Sequence, residues 1–228
     1  MNRYPFVSIL TPTYNRRHFI PQYLRLLRSQ NYPGKFEVII ADDSDMSIRD
    51  VLGGDEIIQY HFFKEKMSLG FKREFLCQQA KGDILVHMDD DDYYSPHRVT
   101  HAVDMLTKAE NLIAGASQCF FYNTFNDEIS VAGPFAKNHG TAATFAYFRE
   151  YIQNHHFNIE DRAQEEPAFT NQFSESMTQL DPKKTMIAIW HKNNTYDKKA
   201  TSKQITNLKL KDFNVDILSR RFYKKVNF

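Results

Sequence analysis

The sequence predicts an α/β fold, and three observations predict it. Short β-branched runs alternate with stretches of helical apolar spacing through the first hundred residues. The run Phe36 to Ala41 is too apolar to face solvent and therefore belongs inside a sheet. Four consecutive aspartates, Asp89 to Asp92, close another apolar run, at the position where open α/β sheets bind ligands. Phe6 to Thr11 reads as the first strand, followed by a polar turn at Tyr14-Asn15-Arg16. Ile20, Tyr23, Leu24 and Leu27 then keep helical spacing up to Pro33-Gly34. Ile57 to Phe63 gives a third strand, Leu69 to Ala80 a helix that stops at Gly82, and Ile84 to Met88 a fourth strand. Ser95-Pro96 places a capping residue and a proline at a helix start that leads into Val99, Ala102, Val103 and Leu106.

The regular alternation ends there, and the second half reads as α+β. Gln118 to Tyr122 and Glu128 to Val131 flank Asn126-Asp127 as a hairpin, and Thr185 to His191 is a late strand. With 228 residues, 42% hydrophobic and 25% charged, the chain suits one folded domain without repeats or low-complexity tracts. A net charge of +1 argues against a nucleic-acid backbone as the main partner. No apolar run approaches the ~20 residues of a spanning helix, and the first residues lack a signal-peptide pattern, so the chain reads as cytosolic. Cys77 and Cys119 lie in apolar surroundings and read as buried free thiols. From Lys198 onward nine Lys or Arg stand against two Asp, whereas the preceding residues are net acidic. That basic segment reads either as a face for an anionic membrane or polymeric acceptor, or as a solvated helix packing by Leu208, Phe213 and Ile217.

Like charges repel and Asp is a poor strand former, so the run Asp89 to Asp92 calls for a cation. Mg2+ or Mn2+ takes oxygen ligands, commonly one or two carboxylates together with substrate phosphates. The segments Val7 to Arg16, Glu37 to Ser44 and Ala80 to Asp92, in this order and spacing, together resemble the family 2 glycosyltransferases with the GT-A fold, a mixed central sheet flanked by helices. The compact, anchorless members of that family occur in bacteria and in large DNA viruses. The resemblance is close over the first hundred residues and looser beyond.

The resemblance implies an inverting, metal-dependent transfer of a sugar from a nucleotide-sugar, UDP-linked by preference, to a hydroxyl of a glycan, glycoprotein or glycolipid. It implies a nucleotide-sugar half over residues 1–110, an acceptor half over 111–197 and the basic segment over 198–228. Thr11, Pro12 and Tyr14 would line the base pocket, and Asp42 or Asp43 would accept a hydrogen bond from the base. Gly70 to Arg73 matches a segment ending in a basic residue near the donor, so Arg73 becomes a base or phosphate contact, although Glu74 stands where Asn is common. Asp89 would hold the ribose and Asp91 the metal, with Asp90 beside them in the DXD-type motif. His191, at the end of the late strand, would be a second metal ligand. Gly140-Thr141-Ala142 resembles the glycine-containing acceptor loop. Ala163 to Phe169 resembles the segment carrying the base, with Glu for the expected Asp, which selects Glu166 as the base and Glu165 as its support. Two alternatives stand beside this reading: a nucleotidyltransferase of the same fold, and a sugar-nucleotide-binding protein without catalysis.

Overall fold

The computed structural model describes residues 4–194 and 203–226. Lys198 and Lys199 of the basic segment therefore lie outside the described residues. The first strand, β1 (Val7–Thr13), is followed by α1 (Ile20–Arg28), β2 (Phe36–Asp42), a single helical turn α2 (Arg49–Leu52), β3 (Ile58–Phe62), α3 (Leu69–Gln79) and β4 (Ile84–His87). Next come β5 (Tyr93–Tyr94), α4 (Arg98–Lys108), β6 (Ile113–Gly115) and the hairpin β7 (Cys119–Asn123) and β8 (Glu128–Ala132). The rest comprises β9 (Ala146–Phe148), α5 (Glu166–Phe169), β10 (Thr178–Gln179), α6 (Pro182–Thr185), β11 (Met186–Trp190), β12 (Gln204–Ile205) and α7 (Ile217–Lys225).

Seven strands form a mixed sheet in the order β10-β6-β9-β4-β1-β2-β3, and five form a second in the order β12-β8-β7-β11-β5. The wound half, β4-β1-β2-β3, is parallel throughout, and β9 enters it antiparallel to both β4 and β6. Alternation along β2 shows why this strand is apolar on both faces. Val38 and Ile40 pack with α1 and α4, whereas Ile39 and Ala41 pack with α3 and Phe157 on the other side. Both faces of the sheet are thus covered, as crossover helices require. A third core joins the second sheet to Phe19, Leu26 and the segment from Leu210 to Val226. The acidic run is the crossing point: β4 ends in the first sheet, and β5, directly after Asp92, pairs with β11 in the second.

The helix expected at Ser95-Pro96 begins two residues later, because Ser95 closes a turn in which its carbonyl accepts from Arg98 N. Strands β5, β6, β9, β10 and β12 span two or three residues each, too short to carry a legible period. Cys77 and Cys119 are buried and form no disulfide among the described residues. Among the described residues no helix is long and apolar enough to cross a membrane.

Gly70, in the first turn of α3, fixes the loop that covers the cavity described below. Its N–H donates to Asp161 O at 2.8 Å, and an added Cβ would stand 1.9 Å from the carbonyl oxygen of Asn158. Backbone cannot swing aside as a side chain can, so Gly70→Ala is expected to cost about 1–3 kcal/mol, read as a lower urea midpoint at unchanged m-value.

Candidate active site

Three of the four aspartates are paired from within by two arginines. Arg73 grips Asp89 with both terminal nitrogens, at 3.1 and 3.0 Å. Its Nε donates to Glu165, and Nη1 lies 2.9 Å from His87 Nδ1. Burial, with Arg73 and Arg98 adding to it, holds His87 well below the usual histidine range, so its ring is neutral and accepts from Arg73. Arg16, in the turn after β1, bridges Asp90 at 3.0 Å and Asp91 at 3.1 Å. Burial pushes the Asp90 carboxyl up to about 6 against the pull of Arg16, and Thr13 Oγ1 donates to its other oxygen.

Asp91 also meets His191 Nε2 at 3.0 Å and Asn194 Nδ2 at 3.3 Å. Asp92 serves the fold, since its carboxylate accepts from Ile189 N at 2.8 Å and its carbonyl from Tyr223 OH at 3.0 Å, fixing β11 and α7 to the acidic loop. Arg98, fully buried, adds a tie that sequence reading missed. Its Nη2 donates to the carbonyls of His87, Thr144 and Phe145, joining the end of β4 to the turn before β9.

The spacing of Asp91 and His191 fits a divalent cation. Two ligands in adjacent positions on an octahedral ion, each ~2.1 Å from it, stand ~3.0 Å apart. A carboxylate oxygen and a neutral imidazole nitrogen are both suitable donors. Among the described residues no three His, Cys, Asp or Glu side chains converge so as to hold a metal ion, so further ligands would have to come from a substrate or water.

A cavity of about 970 Å3 opens above this loop, at the upper end of the volumes usual for ligand pockets. Pro12, Tyr14, Arg16, Lys72, Asp89 and Asp91 line it from the wound half, and Thr141, Ala142, Phe121, Phe135 and His139 from the second half. The loop before α5 closes it with Arg162, Glu165 and Glu166. Glu166 is half-buried and its Oε1 accepts from Ala142 N at 3.0 Å. Burial and the neighbouring Glu165 charge raise its pKa. Glu165 itself is buried on Arg73.

Several expected contacts lie elsewhere. Thr11 is fully buried, its hydroxyl donating to Met88 O at 2.9 Å, so Pro12 and Tyr14 reach the cavity and Thr11 does not. Asp42 is likewise buried, accepting from Ser44 N at 2.9 Å and Tyr60 OH at 2.6 Å. Asp43 is taken by Lys72 at 2.6 Å, Met67 N at 2.8 Å and Lys66 at 3.2 Å. Neither carboxylate is open to a base; the cavity receives Lys66 and Lys72 instead, with Lys66 Nζ 2.7 Å from the Tyr14 ring centroid. Arg73, expected at the donor, does line the cavity, but it is 3% exposed and committed to Asp89, Glu165 and His87. Gly140 packs against Met177 and Phe145, where a Cβ would meet Met177 Sδ and Phe145 Cε1 at 3.0 Å, while Thr141 and Ala142 beside it line the cavity. Arg16 is the residue that sequence reading quoted in a motif but gave no role. Its signal was the first of two arginines, Arg16 and Arg17, in the turn after a strand whose parallel neighbour runs into four carboxylates.

Comparison with known proteins bears on the family and the fold. The model of "Glycosyl transferase family 2" matches residues 8–173. An uncharacterized glycosyltransferase of Rickettsia typhi is 26% identical over 110 residues, 47% of this chain and 34% of that protein. TuaG of Bacillus subtilis, a putative teichuronic acid biosynthesis glycosyltransferase, is 28% identical over 107 residues, 45% of this chain and 42% of that one. The matched segments thus span less than half the length of these curated relatives. Among solved structures, residues 1–349 of S. aureus TarS in complex with UDP-GlcNAc superpose with a TM-score of 0.66 at 18% identity, covering 83% of this chain and 60% of that one. The mannosyltransferase PcManGT from Pyrobaculum calidifontis, in complex with GDP-Man and Mn2+, gives 0.65 at 16% identity, covering 88% and 59%. These two likenesses establish the GT-A fold. With a family model matching well over half of its length, on that fold and around that acidic loop, the chain belongs to glycosyl transferase family 2.

Proposed function

We propose that this chain transfers a sugar, with inversion, from a nucleoside diphosphate sugar to the hydroxyl of a glycan, glycoprotein or glycolipid acceptor. The observation that supports it most is that Asp91, backed by His191 at 3.0 Å, and Glu166 line one cavity. Residues 1–110 hold the donor and residues 111–197 the acceptor. Pro12 and Tyr14 flank the base, with Lys66 and Lys72 beside them as hydrogen-bond donors to its carbonyls. Asp89, held by Arg73, receives the ribose hydroxyls. Asp91 and His191 would hold Mn2+ or Mg2+, which when bound supplies positive charge against the departing diphosphate.

Glu166 takes the proton of the acceptor hydroxyl as that oxygen bonds to the anomeric carbon. The bond from that carbon to the phosphate oxygen breaks on the opposite side, and the nucleoside diphosphate leaves with the electron pair. Arg16, between Asp90 and Asp91 on the cavity wall, adds a fixed cation to that departure. Uridine diphosphate is the expected nucleotide, with guanosine diphosphate as the comparison that the donors of TarS and PcManGT provide.

Thermal shift tests the metal and the nucleotide together. At a hundred times its Kd, UDP with Mn2+ should add about 2.7 kcal/mol, a rise of roughly 5–10 °C in Tm. Asp91→Ala should remove the Mn2+-dependent part of that rise, and His191→Ala should weaken it, each read against the ligand-free melting temperature of the same variant. Equal shifts by UDP in Mn2+ and in EDTA would overturn the metal assignment, and a larger shift by GDP than by UDP would overturn the nucleotide.

A further inference from the structure

We infer that the outer face of α7, together with the tip of the β7–β8 hairpin, is a docking surface for an anionic lipid bilayer. The inference is independent of the transfer chemistry. It starts from how α7 is divided. Ser219, Tyr223 and Val226 are buried against the third core, and the opposite side carries Ile217, Leu218, Arg221, Lys224 and Lys225 to solvent. Ile217 is 54% and Leu218 56% exposed, a pair of branched apolar side chains on the first turn of a helix whose later turns are basic. Ile217, Arg221 and Lys224 stand at i, i+4 and i+7, and Leu218 and Lys225 at i and i+7, so apolar and cationic groups share one side.

The surface continues onto the hairpin. Lys224 pairs with Asp127 at 3.0 Å, and Lys209 Nζ donates to Asp127 O at 3.1 Å. These ties hold the turn that carries Phe125, 60% exposed, beside the helix. An aromatic and two aliphatic side chains, flanked by lysine and arginine, are what a membrane interface takes up.

The local acids reach solvent, but each is already engaged by a partner of its own. Asp216 caps α7, accepting from Leu218 N at 2.9 Å, and pairs with Arg25 at 3.1 Å. Asp212 accepts from Lys209 N at 2.8 Å. Asp127 is shared between Lys224 and Tyr122 OH. Lys211, Arg221 and Lys225 are exposed and make no ion pair with the described residues. A polyanionic polymer would satisfy the charges alone. A bilayer satisfies the charges and also removes Ile217, Leu218 and Phe125 from water, which is why lipid is the occupant chosen.

Sedimentation of the full chain with vesicles tests this. Phosphatidylcholine vesicles containing phosphatidylglycerol should retain the protein at low salt and release it at high salt, and phosphatidylcholine alone should not retain it. Replacing Lys211, Arg221 and Lys225 together by Gln should lower the partition coefficient by about a hundredfold. Ile217→Ser with Leu218→Ser should lower it by at least about tenfold. Since all five side chains are exposed, unchanged Tm and unchanged UDP-dependent thermal shift verify that the variants are folded. Absence of retention on anionic vesicles at low salt would overturn the inference. So would a Ser double variant that binds like wild type while polyglutamate strips both from the vesicles, which would assign the surface to a polyanion.

Discussion

Glu166→Gln is expected to lower kcat by at least ~10²-fold while leaving donor affinity and the Mn2+-dependent thermal shift near wild type. The amide keeps the size of the side chain and can still accept from Ala142 N, so the loop stays where it is and the base alone is removed. The raised proton affinity of Glu166 has a pH signature. Its carboxyl must be ionised to take a proton, so activity rises with pH through a folded-state pKa lying above the ordinary glutamate value. Glu165→Gln should shift that ascending limb to lower pH, because it removes the like charge that helps to hold Glu166 protonated and releases Arg73 toward it. A Glu166→Gln enzyme with near wild-type kcat, or an ascending limb that does not move in Glu165→Gln, would show that another group accepts the proton. Steady-state rates across pH, with donor hydrolysis in the absence of acceptor measured alongside, read both outcomes.

Arg73→Met should be the most destabilising single change in the site. The guanidinium is buried and answers two carboxylates, Asp89 and Glu165, as well as the neutral ring of His87. Removing it strands two negative charges in a poorly solvated place, which by analogy with other broken buried pairs costs about 3–5 kcal/mol, or roughly 10 °C of Tm for a chain of this size. Arg73→Lys should recover little of this. An ammonium cannot grip Asp89 with two nitrogens and reach Glu165 with a third. Chemical denaturation of the two variants distinguishes this account from a surface arginine, for which both changes would stay within about 0.5 kcal/mol.

How much of this was legible in the sequence follows from the length over which each signal runs. The wound strands and α1, α3 and α4 carry enough residues of period for their places to be readable. Strand β9 has three residues and enters from far down the chain, so neither its antiparallel insertion between β4 and β6 nor the mixed nature of the sheet has a local signature. In the site, residue type and order were legible and partner choice was not. The aspartate run announced a cation, but whether Asp42, Asp43 or Arg73 faces outward depends on Tyr60, Lys72 and Glu165, which arrive from 18, 29 and 92 positions away. Thr11 failed for the same reason, its hydroxyl meeting the carbonyl of Met88 across the sheet.

The fixing of Asp92 to β11 and α7 also governs the order of folding. Its carboxylate closes on Ile189 and its carbonyl on Tyr223, 97 and 131 positions downstream, and Asp91 meets His191 100 positions on. Loop closures of that span are slow steps, whereas the β1–β4 half is built from shorter crossovers. During synthesis the parallel half therefore forms first, with its acidic loop facing water and only Arg16 and Arg73 to offset the charge. The second sheet begins with only its local hairpin, β7 and β8, and β5 cannot join it until β11 has added Met186 and Ile187 beside Tyr94 and Tyr93. The acidic loop is then completed late, when α7 packs Tyr223 beneath the turn that the first four strands have held open.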